Sequence, residues 1–99
     1  MAYRVIQTGN VCRVIPPVEV HRAGDEVQWL NRTDKPITVF VRAGIFGGDP
    51  TILNIDADKS GSARVVRDAP YGLFPYSIYC YATDNNAIGS SDPEIIIEA

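Results

Sequence analysis

Among the side chains that carry out nucleophilic, redox or metal chemistry, this 99-residue chain has two cysteines, Cys12 and Cys80, and one histidine, His21. Asp84, Asn85 and Asn86 follow Cys80 closely, and Asp92 lies further on. A soft thiolate beside hard oxygen donors is a mismatched ligand set, so the Asp-Asn-Asn run reads as a turn. Catalysis by a cysteine nucleophile needs an adjacent base. The one imidazole, His21, reads as a surface residue at a strand end beside the Ala23-Gly24-Asp25 turn. Cys80 shares strand parity with Tyr76 and Ile78, which marks it as a core thiol acting as a small apolar filler. Cys12 reads the same way. A thiol sensor would require an exposed thiolate of low pKa. One Cys12–Cys80 bridge is open to the chain only where the two strands meet in space. Asp56 with Asp58, and Asp92 with Glu94, are ordinary loop pairs. Gly47-Gly48 does not join a strand to a helix and so is no phosphate loop; it serves to reach positive φ.

The elements that must position these residues are strands. No long segment repeats apolar residues at helical spacing, whereas short β-branched and aromatic runs alternate with Gly, Pro, Asn and Asp clusters. Strands are predicted over 3–7, 11–15, 18–21, 26–31, 37–42, 62–67, 75–81 and 94–98. A further short one lies at 51–55 in the irregular stretch 43–58. The chain is thus expected to be one domain over 1–99, an all-β Greek-key β-sandwich of seven or eight strands.

A hydrophobic content of 45% supplies one core, and the net charge is −3. Arg64 and Arg67 are the nearest approach to a basic cluster, so nucleic acid is not an expected partner. No apolar run approaches the length of a membrane span. The stretch 1–7 lacks the apolar core of a secretory signal, which is compatible with a cytosolic chain.

Three segments taken together resemble the cupredoxins, most closely their plastocyanin-like branch. They are VEVHRAGDEVQWLN from Val18 to Asn31, KPITVF from Lys35 to Phe40, and PYSIYC from Pro75 to Cys80, the last followed by a loop ending at Ile88-Gly89. The likeness spans nearly the whole chain. It implies an exported electron carrier whose copper is held by two His, one Cys and a weak axial Met. The places implied for the first His, the second His and the Met hold Ile37, Thr83 and Ile88, and only Cys80 is kept. Isoleucine has no lone pair, and a hydroxyl is a poor copper donor. Ile37 shares parity with Val39 and Val41, so hydrocarbon packing is expected there, each buried Ile stabilising by roughly 1.5–3 kcal/mol. No cofactor is therefore expected.

Alternation then turns Phe40, Tyr79, Tyr81 and Ile96 outward as one candidate contact patch for a protein partner or a homo-oligomer. Ile45, Phe46, Tyr71, Leu73 and Phe74 at the irregular end form a second. These residues imply a non-enzymatic, metal-free module acting through protein contacts. The alternative is copper handling or electron transfer at a non-standard site based on Cys80.

Overall fold

The structure is a computed structural model that describes residues 2–87 and 93–99. Among these, the strands are β1 (Tyr3–Thr8), β2 (Val11–Ile15), β3 (Val18–Arg22), β4 (Glu26–Asn31), β5 (Ile37–Val41), β6 (Thr51–Ile55), β7 (Ser60–Arg64), β8 (Gly72–Pro75), β9 (Ser77–Cys80), β10 (Asn85–Asn86) and β11 (Glu94–Glu98). A single 3-10 turn covers Gly44–Phe46. The expected all-β sandwich is present. Its count of eleven exceeds seven or eight because long strands divide between ladders and because Asn85 and Asn86 pair with β9. The turn predicted over Asp84-Asn85-Asn86 is confined to residues before that pair, with Asp84 at a φ of 54°.

One layer runs β2-β1-β4-β7. The other holds β10-β9-β5-β6 and β3-β11-β8, with β8 running into β9 through Tyr76. The chain changes layer repeatedly, and this leaves two parallel pairs, β1 with β4 and β11 with β3. Such non-sequential pairing is the mark of a Greek-key sandwich.

The period of two in the sequence sets what faces inward. Val27 and Trp29 on β4, Ile37, Val39 and Val41 on β5, Tyr76, Ile78 and Cys80 around β9, and Ile95 and Ile97 on β11 are all buried. β3 inverts the rule. Glu19 and His21 are buried while Val20 is 51% exposed. The turn after β3 depends on Gly24 at φ +87° and on Asp25, whose carboxylate accepts the Arg22 N–H at 2.8 Å. Gly47, at the same positive φ, closes the 3-10 turn; Gly48 does not adopt one.

Four aromatics fill the centre. Tyr3 stacks on Trp29 at 5.7 Å, and Tyr76 meets both rings edge-on at 5.5 and 5.8 Å. Phe46 closes over Trp29 at 6.0 Å. Trp29 Nε1 donates to the Tyr76 hydroxyl at 3.0 Å, so the indole is satisfied inside the core.

Asn31 holds the approach to β5. Its amide nitrogen donates to the carbonyls of Lys35, Ile55 and Asp56, and its amide oxygen accepts from both the N–H and the hydroxyl of Thr33. Replacing a side chain that satisfies so many buried groups leaves several of them without partners. Asn31→Ala is expected to lower unfolding free energy by at least about 3 kcal/mol, read by urea denaturation. A loss below 1 kcal/mol would show that water or local rearrangement replaces the network.

Candidate functional site

The end of the sandwich that carries Cys80 is built by β5, β9 and the turn after β9. Pro36 leads the chain into β5, and its carbonyl accepts the Tyr81 N–H at 3.2 Å. The β5–β9 register then sets Ile37 directly opposite Cys80, with both residues fully buried. On its other side Ile37 faces Ile55 of β6. The Thr83 N–H donates to the Cys80 carbonyl at 3.3 Å, and the buried Thr83 hydroxyl has no partner among the described residues. Ile37 and Cys80 are therefore set opposite one another, and Thr83 is joined to Cys80 through the backbone. Ile88, Gly89 and Asp92 lie outside the described residues.

Cys12 of β2, in the opposite layer, is buried in the same core as Cys80. Both cysteines are free and buried. Burial raises the Cys80 thiol above its ordinary value, and the Cys12 thiol adds to the shift. A buried thiol held protonated is the opposite of a sensor's exposed thiolate.

Among the described residues the donor set does not fit a blue-copper ion. Such a centre takes two imidazoles and a thiolate with a weak axial ligand. Here Cys80 faces Ile37, and no group of three or more His, Cys, Asp or Glu that could hold a metal is found among the described residues. His21, the chain's one imidazole, is engaged on β3. Its Nε2 is 2.9 Å from Glu19 Oε1, and its Nδ1 is 3.9 Å from Asp25 Oδ2. This corrects the expectation of a surface histidine, since His21 is only 8% exposed. The physical reason is the inverted β3, whose inner face is polar and whose Glu19 and His21 satisfy one another. Glu19 Oε2 is buried and has no hydrogen-bond partner among the described residues.

The outward patch divides. Tyr79 and Tyr81 pack edge to face at 5.0 Å, and the Tyr79 hydroxyl donates to Asp84 Oδ1. Thr38, opposite Tyr79, is within 3.5 Å of the Tyr81 hydroxyl and donates to Asn54 at 2.8 Å. Phe40 lies opposite Ser77, diagonal to Tyr79, with the Arg42 guanidinium 5.5 Å from its ring centre. A shallow groove of about 300 Å³ runs beside it between Arg42, Pro75 and Ser77. Ile96 does not join this group. It pairs with Leu73 of β8 and Val20 of β3, and six residues of strand separate Leu73 from Tyr79, roughly 20 Å at the rise of an extended chain. The error lay in treating β8 and β9 as one pairing unit, whereas β11 takes the first half and β5 the second. Of the second candidate group, Ile45 is buried and Phe46 covers Trp29, so they plug the core. Phe74 packs partly against the core as well, while Tyr71 and Leu73 are exposed.

No family model and no curated protein matches the chain. Solved structures do. An oxidised amicyanin mutant is similar with a TM-score of 0.65 at 19% identity, over 98% of this chain and 82% of that one. A reduced amicyanin mutant gives 0.65 at 16%, over 99% and 81%. A reduced Cu(I) form of a further mutant gives 0.66 at 16%, over the same shares. At these identities the likeness establishes a shared fold.

The buried Cys80 thiol and the Tyr3 and Tyr76 phenols are all raised, in each case first by burial. The folded chain holds these protons more tightly than the unfolded chain, so their stabilising share is complete below the ordinary thiol value of 9.0. It is lost as pH climbs past that value and past the ordinary phenol value of 10.0. Thermal midpoints followed by Trp29 fluorescence are expected to show no loss from these groups up to about pH 8 and a progressive fall above it. A midpoint as high at about pH 11 as at neutrality would contradict the burial of all three groups.

Proposed function

We propose that this chain, with its cupredoxin fold, is a non-enzymatic module that acts through protein contact, by self-association or by docking to a partner, and not through a blue-copper centre. The observation that carries the contact role is the outer face of β9 and β5. Tyr79, Tyr81, Phe40 and Arg42 form one aromatic and cationic surface there, and Tyr81 is 51% exposed. These are the residue types enriched at interface centres, because they supply large rigid area with a polar tip. Thr38, Asn54 and Asp84 already orient the hydroxyls around them, which lowers the ordering cost of a contact.

The other support comes from Ile37. A ligand position filled with isoleucine, packed between Cys80 and Ile55, stabilises the fold and offers copper nothing. A module of this kind keeps the sandwich as a rigid platform and places its function on the surface.

Sedimentation velocity over a wide concentration range reads the self-association directly. The wild-type protein is expected to form species heavier than the monomer, and Tyr81→Asp to lose them. Because the substitution is at an exposed position, unfolding free energy should change by no more than about 0.5 kcal/mol. A wild-type protein monomeric throughout would remove self-association, and an undiminished assembly in Tyr81→Asp would move the contact elsewhere.

Copper titration tests the remaining half. Added Cu(II) is expected to produce no intense thiolate-to-copper absorption band. A strong band that disappears in Cys80→Ala would overturn the assignment and favour a copper-handling site built on Cys80.

A further inference from the structure

Taking the outer face of β5 and β9 as the contact surface, as above, we propose that it closes on the same face of a second copy of this chain about a two-fold axis, with Arg42 of each copy set against Asp84 of the other. The apolar part of this face is wider than the tyrosine pair. Ile52 of β6 lies opposite Phe40 and is 52% exposed, and Phe40 is diagonal to Tyr79. An apolar band therefore crosses three neighbouring strands, from Ile52 through Phe40 to Tyr79 and Tyr81.

Two charges of opposite sign bracket that band. Arg42 follows the C-terminal end of β5, and Asp84 lies beyond the C-terminal end of β9. Because these strands are antiparallel, their C-terminal ends lie at opposite ends of the face. From Thr38, opposite Tyr79, the chain runs on to Arg42 over roughly 13 Å at the rise of an extended strand. Both charges are held over the face. The Arg42 guanidinium lies 5.5 Å from the Phe40 ring centre, and the Tyr79 hydroxyl donates to the Asp84 carboxylate. Both residues are exposed, and neither forms an ion pair among the described residues.

A face with a cation at one end and a carboxylate at the other is complementary to itself turned end for end. A two-fold axis lying in the face, across the line from Arg42 to Asp84, carries each onto the position of the other. The pair is then made twice, and the apolar band of one copy covers that of the next. A face of a single sign would instead repel its own copy and call for an oppositely charged partner. A two-fold contact also uses the same patch on both chains, so the assembly stops at the dimer.

Charge reversal in the full chain, read by sedimentation velocity, tests the pairing. Arg42→Asp and Asp84→Arg, each alone, are expected to weaken dimerisation at least about tenfold, because like charges then meet at both symmetric contacts. Mixed in equal amounts, the two variants are expected to recover a dimer of wild-type strength holding one chain of each kind. A chain carrying both reversals is expected to dimerise as the wild type does, and added salt to weaken the wild-type dimer. Recovery requires folded chains, so it separates a lost contact from a lost fold. A monomeric wild type, growth beyond the dimer, or single variants that associate as strongly as the wild type would each overturn the proposal. So would a mixture and a doubly reversed chain that both stay monomeric. Assembly that survives both single reversals but is lost in Tyr81→Asp would remove the two-fold pairing and keep the face as the contact. Assembly indifferent to all three substitutions would remove the face itself.

Discussion

The Tyr3 hydroxyl ties the two layers of this sandwich to each other. Tyr3 belongs to β1, yet its oxygen donates to the Glu94 carbonyl of β11 at 2.5 Å and accepts the Glu19 N–H of β3 at 3.1 Å. A single phenol thus satisfies backbone groups on two strands of the facing layer while its ring is packed against Trp29 and Tyr76. Hydrophobic packing between sheets is indifferent to small slides. A directional bond buried among apolar rings is not, because breaking it strands polar groups away from water. The relative position of the layers is therefore held at a point, and the parallel β3–β11 pair is held to β1.

The consequence runs along the strand that β8 and β9 share. Tyr76 lies between them, accepts the Trp29 indole N–H, and donates its own backbone N–H to Pro93 at 2.9 Å. Up to that residue the chain pairs with β11; beyond it, β5 takes over on the other edge. This handover brings Ile37 opposite Cys80 and sets Tyr79 between β5 and β10, with Tyr81 packed against it. It also separates Ile96 from them and sets it in a second apolar row with Val20 and Leu73.

The layers and the facing of most strands were legible because period-two alternation is unambiguous wherever one face is buried. Ile37, Val39 and Val41, and again Tyr76, Ile78 and Cys80, could be assigned inward from strand parity, and all are buried. β3 was not legible in the same way. VEVHR alternates, but its valines face out and its Glu and His face in. Ordinary apolar burial predicts the reverse; what wins is the partnership of Glu19 with His21, next to the Tyr3 hydroxyl that the Glu19 N–H meets. Long-range pairing escaped notice for a different reason. Nothing in the residues around Cys12 states which strand will face it, since contacts between layers depend on how the whole chain is wound. Cys12 and Cys80 are 68 positions apart, and only the topology brings them into one core.

The Cys80 end of the sandwich is held together by packing. Hydrocarbon at Ile37 fills the space between Cys80 and Ile55. It cannot supply a directional link between layers. The directional link is the Tyr3 hydroxyl, which joins β1 to β3 and β11. The platform beneath Tyr79 and Tyr81 is rigid to that extent, and a rigid platform is what an aromatic contact face needs if little entropy is to be lost on association.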